Sequence, residues 1–147
     1  MSKSGRYAAN RIKIQEKTAN FTVEVSDCGT LFVIDPGADT LVTMPTAAAC
    51  GKGWWIEVMV DEEDGDVVDN DVNIGFTTSS KVTGLLVAGD GGGSSIGGSA
   101  AHDFIVFDAG QSKSGELVRI MCLGDRFVAH GFIEDATDTK FHTAALS

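Results

Sequence analysis

From Phe21 onward, apolar residues recur at every second position in short runs, and each run stops at a turn residue. Phe21, Val23 and Val25 alternate with Thr22 and Glu24, the period of a strand with one buried face. Thr30–Ile34 follows, closed by Asp35-Pro36-Gly37, where proline presets φ and glycine supplies a left-handed position. Leu41–Met44 is stopped by Pro45. Trp54–Val60 is the most apolar run, and Glu57 inside it turns one face of that strand toward water or a partner. Val72–Phe76, Val82–Val87, Phe104–Phe107, Leu117–Cys122 and Phe127–His130 bring the set to about nine short strands. Gly124-Asp125 between the last two reads as a hairpin turn. No amphipathic helices alternate with these runs, which excludes a nucleotide-binding α/β fold. The pattern predicts an all-β chain, a β-sandwich or jelly-roll-like barrel with an extended N-terminal arm.

The flanks differ from this body. Residues 1–18 are polar and basic and form the arm, residues 19–133 the sandwich, and residues 134–147 a polar C-terminal tail. Within the arm, Arg11-Ile12-Lys13-Ile14-Gln15 alternates and can make one edge strand, but only against a partner. A chain of 147 residues with 43% hydrophobic side chains has material for one core without disulfides or metals as staples. The net charge of −10 is unevenly placed. Five Lys and Arg against Glu16 give residues 1–17 a balance of +4, while the rest carries −14. Such a body repels nucleic acid and anionic membrane, since phosphate binding needs clustered Lys and Arg. The arm alone suits an acidic surface, which marks Lys3, Arg6, Tyr7, Arg11, Ile12, Lys13, Ile14 and Lys17 as candidate partner-binding residues.

Little in the chain points to catalysis. Cys28, Cys50 and Cys122 are odd in number and unpaired in spacing, which reads as reduced thiols in or near the core. Neither they nor His102, His130 and His142 show metal-ligand spacing, so no metal or other cofactor is expected. The acidic stretch Asp61–Asp71 misses the EF-hand pattern and reads as a solvated loop. The Gly- and Ser-rich residues 89–100 lack the Lys-Ser/Thr ending of a phosphate cradle. Adjacent Trp54 and Trp55 point to opposite faces of a strand, so one fills the core and the other is a possible oligomer-interface anchor. No apolar run follows the first basic residues, and none reaches about 20 residues, so neither a signal peptide nor a membrane span is expected. Synthesis in a cytoplasm follows as an expectation.

Three segments carry a resemblance: Ser26-Asp27-Cys28-Gly29-Thr30-Leu31-Phe32, Leu41-Val42-Thr43-Met44-Pro45, and Gly51-Lys52-Gly53-Trp54-Trp55-Ile56-Glu57-Val58. With Gly115–Ile120 and the closing Gly124–Gly131, this order resembles a β-sandwich module of tailed-phage structural proteins over residues 21–132. The chain departs from that pattern with Glu116 for an aspartate, Phe127 for a tryptophan and Met44 for a leucine. The resemblance implies a virion protein with no enzymatic activity. Specifically, it implies a capsid decoration (cement) protein on the head exterior, made in the host cytoplasm, whose partners are the major capsid protein and itself as a homotrimer. A tail-fibre module that binds a receptor or glycan is the alternative.

Overall fold

The computed structural model describes residues 11–62, 67–77, 79–89, 103–134 and 139–142. These form eleven strands: β1 (Lys13–Lys17), β2 (Phe21–Thr22), β3 (Thr30–Ile34), β4 (Thr40–Thr43), β5 (Trp55–Val60), β6 (Val72–Gly75), β7 (Val82–Ala88), β8 (Phe104–Phe107), β9 (Leu117–Cys122), β10 (Phe127–Ile133) and β11 (Thr139–His142). One 3-10 turn (Val25–Asp27) and one short helix, α1 (Ala47–Cys50), interrupt them. The strands make two packed sheets, a six-stranded one in the order β1-β3-β5-β9-β10-β7 and a five-stranded one in the order β11-β8-β6-β4-β2. The all-β sandwich expected from the periodicity is therefore present.

Its winding is different from a jelly roll. Up to β8, successive strands alternate between the two sheets, and β3, β4, β5 and β6 each return beside the strand two places earlier and run in the same direction. The pairs β1/β3, β3/β5, β2/β4, β4/β6 and β7/β10 are all parallel. Parallel neighbours need a crossover, and here a strand of the opposite sheet supplies it. The antiparallel pairs β5/β9, β9/β10, β6/β8 and β8/β11 close the structure. Antiparallel Greek keys, which define a jelly roll, are not its organising unit.

The core lies between the sheets. Phe32, Ile34, Ile56, Val58, Val118, Ile120, Phe127 and Leu86 face Val42, Val72, Ile74, Ile105 and Phe107, all of them almost fully buried. At the end beyond β9, Trp54 packs edge-on to Phe127 with centroids 6.2 Å apart, and Phe76 lies 5.3 Å from the same ring. The Trp54 Nε1 donates to the Val25 carbonyl at 2.8 Å, so the buried indole leaves no unpaired donor.

Both flanks contribute strands, which moves the boundaries drawn from composition. Lys13–Lys17 pairs with β3 of its own chain and needs no partner protein. The Asp27 carboxylate secures it by accepting from Lys13 Nζ at 3.4 Å and Gln15 Nε2 at 3.2 Å. In the tail, Phe141 is 6% exposed, and its burial explains why β11 joins the edge of the five-stranded sheet. Phe21–Val25 is shorter than expected as a strand, because Asp27 accepts from the Glu24 amide at 2.9 Å and bends the chain into the 3-10 turn.

Candidate functional site

In a strand, side chains alternate between faces, so the register of the six-stranded sheet fixes what its outer surface presents. The inward set is the core. The outward set falls into three rows running across the strands. One row reads Val33, Met59, Leu117, Phe132 and Val87, with Glu16 at its β1 end. The next reads Ile14, Leu31, Glu57, Arg119, His130 and Leu85. The third reads Trp55, Met121, Val128 and Thr83, with Gly29 and Ile12 continuing it toward the β1 edge.

This surface is apolar, although the other sheet does not cover it. Phe132 is 71% exposed, Ile14 60%, Ile12 53% and Val87 49%. Leu31, Val33, Trp55, Met59, Leu117, Met121 and Val128 are half-buried. Five strand spacings make the face about 24 Å wide and three rows give it on the order of 500 Å². Soluble monomers seldom expose a larger continuous apolar patch. The corresponding outer positions of the five-stranded sheet are more mixed, with Leu41, Val106 and Phe104 set among Thr22, Thr43, Asn73 and Gly75.

At its centre stands one ion pair. Arg119 Nη2 lies 2.6 Å and Nε 2.9 Å from the same Glu57 Oε1. The guanidinium also stacks over the Trp55 ring at 4.7 Å. A Cβ on Gly29 would sit 3.7 Å from that indole, so Trp55 leans over the backbone there. The cation–π contact and the bond to Glu57 together hold Arg119 flat against the sheet.

The predicted site residues divide accordingly. Lys3, Arg6 and Tyr7 lie outside the described residues. Arg11, Ile12 and Ile14 are exposed. Lys13 is tied to Asp27, and Lys17 lies 5.1 Å over the Phe21 ring. The two tryptophans part as alternation requires: Trp54, 4% exposed, belongs to the core, while Trp55 faces outward. Trp54 therefore cannot anchor a partner. The sequence pattern pointed to the pair Trp54 and Trp55 without choosing between them and missed Phe132, Val87 and Leu85, because only the register shows that β7, β9 and β10 line them up with β5.

Other candidate chemistry resolves into structure. Cys122 is buried, with its Sγ 3.3 Å from the Ala47 carbonyl it donates to and 3.3 Å from the Gly124 amide. Cys50 is half-buried, whereas Cys28 is exposed and so is not a core thiol. Burial, then the neighbouring Cys122 and Cys28, push the Cys50 thiol up to about 11, which disfavours a nucleophilic thiolate. In the acidic stretch, Asp71 is 8% exposed and accepts from the Ala109 amide at 2.7 Å, so it is a buried anchor rather than part of a solvated loop. Residues 63–66 and most of 89–100 lie outside the described residues. An open hollow of about 640 Å³ beside Lys52 and Arg126 is lined by the β9–β10 turn, and Asp125 already pairs with Arg126 at 3.1 Å. Among the described residues, no group of three His, Cys, Asp or Glu is placed to hold a metal ion, and no helix is long and apolar enough to cross a membrane. No family model, curated protein or solved structure matches the chain.

Proposed function

We propose that this chain is a virion binding module that attaches to the outer surface of an assembled phage head and stabilises it. The observation that carries the binding role is the uneven charge, a balance of +4 over residues 1–17 attached to a body of −14. The resemblance to phage structural modules supplies a virion as the target, and a small chain with a basic arm suits the head better than the tail. Those basic residues suit an acidic shell surface.

The mechanism is mechanical and thermodynamic. A protein that binds only the assembled shell stabilises that state by mass action, by about 2.7 kcal/mol per site at a hundredfold excess over Kd. Several attachment points on one particle raise the effective affinity without stronger single contacts. The test is co-sedimentation of the purified protein with undecorated heads of the parent particle, followed by heating. Saturable binding and a higher temperature of DNA release are expected. Binding to tails or to glycans, with none to heads, overturns the reading in favour of a tail module.

A further inference from the structure

We propose that the outer face of the six-stranded sheet docks on the same face of a second copy, about a two-fold axis running parallel to the strands between β5 and β9. Charge limits the choice of occupant. The chain carries −10 overall, so two copies repel wherever their acidic loops meet. On this face, Glu57 is neutralised by Arg119, and Glu16 stands at one corner. Here a second copy can approach without a like-charge penalty.

The position of the ion pair then selects the axis. Glu57 on β5 and Arg119 on β9 straddle the midline of the six strands. An in-plane two-fold along that midline lays β5 over the second copy's β9, so each carboxylate meets the other copy's guanidinium. A two-fold across the strands would set carboxylate on carboxylate. Both bonds from Arg119 go to Oε1 of Glu57. Among the described residues, Glu57 Oε2 and Arg119 Nη1 are left for the second copy. A four-charge ring of this kind fixes register as well as affinity.

The apolar rows agree in size. The same axis sets β3 over the second copy's β10, which brings Val33 against Phe132 and Gly29 against Val128. Small residues meet large ones, as interlocking sheet faces require. Sheets packed face to face cross at about 30° and lie about 10 Å apart, which keeps the central pairs matched while the corners diverge. A patch of about 500 Å² with its rim approaches the roughly 800 Å² per partner of a stable interface. The pairing is two-fold, whereas the resemblance to phage modules implies three copies.

Sedimentation equilibrium of the full chain tests this first. A species of twice the 15.4 kDa chain mass is expected, and a monomer or a three-copy species overturns the proposal. Phe132→Asp should raise the dissociation constant about 100-fold while leaving the unfolding midpoint of the monomer unchanged, since that side chain is already exposed. The face is identified by mixing two single variants, Val33→Cys and Phe132→Cys, each in a Cys28→Ser background, with a short bismaleimide. Cross-linking between the two variants but not within either one is expected. A dimer that gives no such cross-link uses another face and overturns the proposal. A monomer that still coats heads rejects the pairing alone, and a dimer that never coats them rejects the attachment role alone.

Discussion

Where β7 runs beside β10, a Cβ on Gly84 would overlap the Ala129 carbonyl oxygen and lie 2.7 Å from its carbonyl carbon and 2.8 Å from its amide nitrogen. These are backbone atoms and cannot swing aside, so the strands themselves must part. Gly84→Ala should therefore cost about 3 kcal/mol or more, read as a lower urea midpoint with an unchanged slope. Nothing in Val82-Thr83-Gly84-Leu85 foretells this, because the requirement comes from a strand far along the chain. The thiols give a second residue-scale test. Cys28 is exposed, while burial raises the Cys50 thiol to about 11 and Cys122 is enclosed. Iodoacetamide at pH 8 should modify Cys28 first, Cys50 much more slowly and Cys122 only on unfolding, as followed by peptide mass spectrometry.

The edge strand β1 depends on one carboxylate. Burial alone would push the Asp27 carboxyl up, but the Glu24 amide, Lys13 and Gln15 outweigh it and hold it below its usual 3.8. A folded-state value below the unfolded one means that this support is complete above about 3.8 and is lost as pH falls through the lower, folded value. Amide NMR signals of Lys13–Lys17 should accordingly broaden below pH 3.8 before the rest of the sheet, and Asp27→Asn should loosen them at neutral pH. The same strand changes how the arm is to be removed. Deleting residues 1–18 takes away the outer strand of a sheet and should lower the thermal midpoint by several degrees, whereas deleting residues 1–10 leaves β1 in place. Only the shorter deletion, assayed by head binding, tests Lys3, Arg6 and Tyr7 without removing a strand. The alternation of Ile12, Lys13 and Ile14 showed that a strand was available, but periodicity does not say which edge will accept it. Phe141 was a weaker signal still, a single apolar residue in a polar tail.

At the scale of the whole molecule, alternation and turn residues were enough to find nine of the strands, seven of them within a residue, and the sandwich they build. They could not give the winding, since a half-buried strand looks the same whether its neighbour is parallel or antiparallel. The apolar outer face was hidden for the same reason. Met59, Leu117, Phe132 and Val87 are scattered through the sequence and become one row only when β5, β9, β10 and β7 lie in register. Salt separates the two contacts proposed for the molecule. Raising ionic strength should weaken head capture by the basic residues steeply and leave pairing through the apolar face nearly unaffected, which titrating head occupancy and sedimentation of the free protein against sodium chloride would show.

The winding also sets a schedule for synthesis. Strands β3 to β6 each find a sheet neighbour two strands back, so the early rungs can close as the polypeptide leaves the ribosome. β7 cannot do the same: Val82 pairs with Phe127, and at about 5 to 20 residues per second that partner emerges roughly 2 to 9 seconds later. Throughout this delay Val82–Ala88, a stretch without a single charge, waits with its hydrogen-bonding groups unmatched. Nascent chains stalled in that interval are where chaperone capture or inclusion-body formation would begin.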